Sequence, residues 1–273
     1  VEMIRLPSSL PCLSNAELPA SNFITLCLLC SFKRCLLSPL RGGAEGGEDL
    51  RQRRVLLGLS GSVAAIKAKE LVEVLGGRER VRVVVTDKAT SFVSVDEVVR
   101  ATGVEIYTDE DEWGAWKQRG DPVRHIELSQ WADIFVIAPL SANTLAKLSM
   151  GMADNLLTSI ARAWDYSKPL VAAPAMNTAM WNHPITSGQI DVMARWGAVF
   201  LQPVRKVLVC GQDGVGAMAS VESITKVANF LLLNGPRSNI PFELQAFVMP
   251  ARSGESNGDR PPKEAEVTSR GLS

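Results

Sequence analysis

The sequence predicts an α/β protein built on a parallel sheet that helices cover on both faces. Three observations carry that expectation. Short apolar runs, at Val55–Leu59, Val81–Thr86, Asp133–Ala138 and Leu170–Ala173, lack the polar alternation of a strand with one wet face. Patterns of helical period separate them, as crossover connections between parallel strands require. Three of the runs end in turns of small, hydroxyl and amide residues, and parallel sheets bind ligands at the carboxyl ends of their strands.

The elements follow in order. Val55–Leu59 reads as the first strand, with a helical pattern from Val63 to Leu75 after it. Val81–Thr86 is a β-branched second strand. Asp133–Ala138 is a third, followed by helices from about Ala142 to Met150 and from Ala153 to Trp164. Leu170–Ala173 is a strand, Pro184–Trp196 a helix that opens on proline, Ala198–Leu201 a strand, and Val221–Leu233 the last helix. These segments define one domain, residues 51–234. Residues 1–50 keep no apolar period and end in a glycine-rich stretch, and residues 235–273 are rich in Pro, Ser, Gly and charge. Such segments bury too little apolar surface to offset chain entropy, so a disordered leader and a disordered tail are expected.

Composition narrows the partners. The 29 basic and 29 acidic residues balance, which leaves no field for nucleic acid or an anionic membrane and favours a small-molecule ligand. Ile24–Leu29 is too short to cross a bilayer and lacks a basic flank and a small-residue cleavage site, so neither a membrane segment nor a signal peptide is expected. Cys12, Cys27, Cys30 and Cys35 cluster in the first 35 residues, and Cys210 alone lies in the apparent core. That is no disulfide framework, and a reducing, cytoplasmic setting is expected. The Cys27–Cys30–Cys35 spacing would need Cys12 to close a tetrahedral site, so no metal is expected.

The strand-end turns carry the candidate chemistry. Ser60-Gly61-Ser62-Val63-Ala64-Ala65 opens a helix, where free N–H groups and a serine hydroxyl suit a phosphate. It has neither the Walker nor the dinucleotide glycine spacing, and a plain Ser/Gly helix cap fits it equally well. Pro139-Leu140-Ser141-Ala142-Asn143-Thr144 repeats the pattern, again open to simple capping. Pro174-Ala175-Met176-Asn177-Thr178-Ala179-Met180-Trp181 offers an amide to hold a carboxylate and apolar side chains to wall a pocket, or else core packing. His125 and His183 are the only histidines. Cys210 leads the glycine run Gly211, Gly214 and Gly216, as a mobile flap carrying a thiol would, or as a buried inert cysteine.

Taken in order, Gly-Ser-Val-Ala-Ala, Pro-Leu-Ser-Ala-Asn-Thr, Pro-Ala-Met-Asn-x-x-Met-Trp and Lys-x-Leu-x-Cys-Gly-x-x-Gly-x-Gly-Ala-Met resemble the signature of the homo-oligomeric flavin-containing cysteine decarboxylases. The resemblance runs from residue 54 to about 232, and the text around Asp111-Glu112-Trp113, Arg124-His125-Ile126 and Gly151 to Thr158 is similar to the phosphopantothenoylcysteine branch. It implies a Rossmann-like or flavodoxin-like three-layer α/β/α sandwich with a six-stranded parallel sheet, bound FMN and a homotrimer with sites at subunit interfaces. It implies conversion of 4'-phosphopantothenoylcysteine to 4'-phosphopantetheine in coenzyme A biosynthesis, through thioaldehyde and ene-thiol intermediates. By the same resemblance His125 and Cys210 are catalytic, and Asn177 and Met180 bind substrate. Gly61, Ser62, Val63, Thr86, Lys88, Ser141, Ala142, Asn143, Thr144 and Ala175 would contact FMN. A decarboxylase of another cysteine-terminated substrate and a regulatory, phosphatase-inhibitor-like relative are the alternatives. The short, weakly acidic C-terminal segment speaks against the regulatory one.

Overall fold

A computed structural model describes residues 50–250, apart from 51, 115, 208–212 and 237. The chain enters the sheet at β1 (Val55–Leu59), buried throughout. Where one helix is expected from Val63 to Leu75, a 3-10 turn (Val63–Lys67) precedes α1 (Ala68–Val74). Tightening of this kind is common at helix starts. β2 (Val81–Val85) follows. The next elements leave little apolar signature. α2 (Val95–Thr102) buries only Val98, starts under a Ser94 cap on the Glu97 amide and stops at Gly103, whose φ is 67°. β3 (Glu105–Tyr107) is a short edge strand, and α3 (Asp109–Gly114) is acidic. α4 (Arg124–Trp131) carries His125 in its first turn, a helix that the apolar periodicity does not announce.

The second half is closer to expectation. β4 (Ile134–Leu140) is buried at every residue, and α5 (Ala142–Ser149) starts under Ser141. α6 (Leu156–Arg162) starts later than Ala153, because Asn155 and Thr158 cap each other's backbone N–H groups. β5 (Leu170–Pro174) leads to a single turn, α7 (Thr178–Trp181). α8 (Pro184–Trp196) has the expected bounds, with proline at its start and Gly197 (φ 109°) at its end. β6 (Ala198–Phe200) completes the sheet. β7 (Val204–Val207) and β8 (Asp213–Ala217) form a separate antiparallel ribbon, and α9 (Val221–Asn234) returns across the sheet. α10 (Phe242–Gln245) corrects the tail expected from residue 235. Residues 247–249 lie antiparallel to the end of β6, where the Met249 N–H donates to Phe200 O at 2.8 Å and the Gln202 N–H donates to Phe247 O at 2.7 Å. Phe247 and Val248 pack on one face of the core and Met249 on the other, so this stretch has the apolar anchors that the polar residues after it lack. The expected leader, Cys12, Cys27, Cys30 and Cys35 included, and the tail from 251 to 273 lie outside the described residues.

The six strands are all parallel, in the order β3-β2-β1-β4-β5-β6. Side chains alternate even along the wholly apolar strands: Val55, Leu57 and Leu59 join the core under α1 and α9, while Leu56 joins Phe135 and Ile137 under α4, α5, α6 and α8. Each such residue contributes about 1.5–3 kcal/mol when fully buried. The Phe135 and Trp164 rings meet at 5.4 Å between centroids in the second layer. This is the three-layer α/β/α sandwich with a six-stranded parallel sheet that the sequence predicts. The strand order reverses between β1 and β4, which opens a crevice at their carboxyl ends.

Candidate active site

Ser60 closes the floor of that crevice. It is wholly buried; its Oγ donates to Pro139 O at 2.8 Å and accepts from the Ser141 N–H at 2.7 Å. One hydroxyl thereby ties the loop after β1 to the loop after β4. Gly61 stands against the loop after β2, and a Cβ there would come within 2.7 Å of Lys88 Cβ. Thr86 is buried and donates to Leu59 O at 3.3 Å, fixing that third loop. The Lys88 ammonium instead reaches solvent and donates to Asp87 at 2.8 Å; that hydrogen bond raises its pKa. Across the crevice, Ser141 Oγ accepts the Thr144 N–H at 3.3 Å and donates to Thr144 Oγ1 at 3.1 Å, with Ala142 half-buried and Asn143 exposed. Both the Ser60–Ser141 tie and the helix start it organises come from short hydroxyl side chains at strand ends.

Beside this floor lies a cleft of about 600 Å³, in the range of small-molecule sites. Ser62 and Val63 form one edge, Ala175, Met176 and Asn177 another, and Val204, Met218 and Val221 an apolar wall. Ala175 is held in place by its N–H, which donates to Leu140 O at 2.9 Å. Asn177 caps α7 by accepting the Ala179 N–H at 2.7 Å, so its side chain is oriented by its own backbone. The β7–β8 ribbon covers this segment: the Met176 N–H donates to Gly216 O at 2.9 Å. Gly216 has a φ of 139°, and a Cβ would stand 2.2 Å from Met176 O, so no other residue allows this approach.

The structure brings Ser62, Val63, Ala175 and Asn177 together around one cleft, with Gly61, Thr86 and Ser141 to Thr144 at the adjoining strand ends. Met180 is exposed on α7 and does not line the cleft. His125 lies on α4, also away from the cleft lining, and its Nδ1 pairs with Glu112 Oε1. His183 caps α8 by accepting the Ile185 N–H at 3.3 Å, a structural task. Cys210 lies outside the described residues, between the strands of the ribbon. Two residues escaped the sequence reading. Ser60 is named there only within the Ser60–Ala65 turn, and Glu112 only within Asp111-Glu112-Trp113, neither with a role of its own. Among the described residues no cluster of three or more His, Cys, Asp or Glu could hold a metal, and no helix is long and apolar enough to cross a membrane.

A flavin mononucleotide fits these residues. The glycine approach at Gly61 and the serine-lined helix starts suit a phosphate, and the apolar wall suits a planar ring. The fold and cleft define a nucleotide-type ligand site at the switch point of a doubly wound sheet. A family model described as Flavoprotein matches residues 44–231, and the chain belongs to that family. Among its curated relatives, an Arabidopsis thaliana protein named phosphopantothenoylcysteine decarboxylase is 53% identical over 169 residues, 62% of this chain and 80% of that protein. Of the solved structures, a cysteine-to-serine mutant of PPC decarboxylase complexed with pantothenoylaminoethenethiol is 48% identical, with a TM-score of 0.62, covering 66% of this chain and 97% of that one. The FMN-binding protein AtHal3 is 49% identical, with a TM-score of 0.61, covering 66% of this chain and 96% of that one.

Proposed function

We propose that this chain catalyses the FMN-dependent decarboxylation of phosphopantothenoylcysteine to phosphopantetheine, a step of coenzyme A biosynthesis. The observation that carries it is the likeness to the solved decarboxylase with its pantothenoyl ligand, at 48% identity over nearly all of that chain. Loss of carbon dioxide from a cysteine carboxylate would leave an unstabilised carbanion. FMN, when bound, supplies the remedy by taking a hydride from the carbon bearing sulfur and later returning it, so the substrate passes through a thioaldehyde and an ene-thiol without net redox change.

The residues then divide the remaining work. Gly61, Ser62, Val63, Ser141, Ala142, Asn143 and Thr144 would hold the cofactor, with Thr86 and Ala175 placing the loops around it and Lys88 adding positive charge nearby. Asn177 would orient the substrate carboxylate through its amide N–H groups, and Met180 would cover the substrate. His125 would act as acid/base before carbon dioxide leaves, and Cys210 would protonate the ene-thiol. Acid/base groups of this kind contribute roughly 10²–10⁴-fold.

The same reading makes the protein a homotrimer in which His125 serves the cleft of a neighbouring chain. That His125 is not among the residues lining its own chain's cleft supports this, as do the exposed apolar residues beside it, Val123, Ile126 and Trp113. A cytoplasmic location belongs to the reading as well, from the cysteine distribution. Assaying carbon dioxide release from phosphopantothenoylcysteine and from a peptide ending in cysteine separates the two substrate classes. Turnover of the first alone is expected; turnover of the peptide alone would transfer the site to the sister chemistry.

A further inference from the structure

Glu112 is buried at 9% exposure, although it belongs to a run of four acidic residues, Asp109 to Glu112. Glu110 and Asp111 of the run are exposed, whereas Asp109 is half-buried and Glu112 turns inward. Asp109 Oδ1 accepts the Leu156 N–H at 2.8 Å at the start of α6. Asp111 accepts from both the N–H and the hydroxyl of Thr108, at 2.7 and 3.0 Å. Glu112 grips one residue with both oxygens: Oε2 accepts the His125 N–H at 3.1 Å, and Oε1 pairs with His125 Nδ1. Six residues make a helix too short to persist alone, so these contacts are what hold α3 in place. The carboxylate is thereby fixed to the scaffold on one side and to the histidine on the other.

We propose that Glu112 is the positioning residue for His125. The inference rests on the acid/base role given to His125 above. A carboxylate beside Nδ1 accepts only, so in the neutral ring the proton is kept on Nδ1 and the Nε2 lone pair is left as the working atom. The bond to the His125 N–H locks the same carboxylate to the backbone, so the ring cannot turn away without giving up its part-buried Nδ1 bond to Glu112. Carboxylate orientation of a catalytic imidazole is a recurring solution, and its loss acts through the wrong tautomer rather than through lost binding.

The test uses the FMN-loaded protein with labelled histidine. The chain has only His125 and His183, so long-range proton–nitrogen NMR correlations resolve the two rings. The wild type is expected to show His125 protonated on Nδ1 in its neutral form. Glu112→Gln replaces the acceptor with a group that can donate to Nδ1, and should move the proton to Nε2. The expected kinetic effect is a fall in kcat of about 100-fold, at the low end of acid/base contributions, with KM changed less than about threefold. Glu112→Asp keeps the carboxylate and should restore the Nδ1–H form with part of the rate. A wild-type ring protonated on Nε2, or a folded Glu112→Gln protein with an unchanged ring signature, overturns the proposal; so does an unchanged kcat. Should Glu112→Gln fail to fold, the wild-type spectrum and Glu112→Asp decide alone. Absence of any decarboxylation would count against the proposed activity, while the ring signature would still report on Glu112.

Discussion

His125 and Cys210 are given different halves of the reaction, and substitution can separate them. His125→Asn should stop turnover before carbon dioxide leaves, with no intermediate. Cys210→Ser should still release carbon dioxide, but its less acidic hydroxyl should protonate the ene-thiol poorly. An oxidised, decarboxylated precursor of phosphopantetheine should then accumulate in the mass spectrum; normal product formation by Cys210→Ser would remove that residue from the reaction. A second prediction concerns the two tyrosines. Burial first, then a hydrogen bond to Glu105, pushes Tyr107 up to about 12, and burial raises Tyr166. A raised phenol favours the folded state below its unfolded value of about 10 and loses that contribution as pH climbs from about 10 towards 12. Tyrosinate absorbance of the folded protein should therefore lag a free phenol through about pH 10, and Tyr107→Phe should lessen the loss of stability above it.

Among the elements, the stretch along β6 gives the sharpest test. Ending the chain after residue 250 should leave the melting temperature unchanged. Ending it after residue 236 removes the Phe200 and Gln202 backbone bonds and the packing of Phe247, Val248 and Met249. That should cost roughly 2 kcal/mol or more, about 4–8 °C in a domain of this size, read by thermal unfolding. The contrast explains what was legible in the sequence. Buried parallel strands such as β1, β4 and β5 announce themselves because both faces are dry. α8 does so through proline at its start and glycine at its end. α2, β3 and α3 stayed hidden because they bury few apolar side chains; caps and carboxylate contacts hold them instead. The strand-end turns of the site could be read from residue type. The pairing of Glu112 with His125 could not, since it joins two short helices thirteen positions apart across a segment with no apolar period.

At the scale of the whole molecule, the single-chain cleft has Asn177 but lacks His125, and the assembly is expected to supply it. Sedimentation should show a trimer, and a fully active monomer would contradict the shared-site arrangement. The central claim is that bound FMN and this cleft together carry out a redox-neutral decarboxylation. Its most direct test incubates the FMN-loaded protein with phosphopantothenoylcysteine in the absence of oxygen and of any added reductant, and quantifies carbon dioxide and phosphopantetheine together. Equal amounts of both products over many turnovers are predicted, with the flavin absorbance returning to its oxidised starting value. A protein that binds FMN yet releases no carbon dioxide, or that stops after one equivalent with the flavin left reduced, would contradict the account.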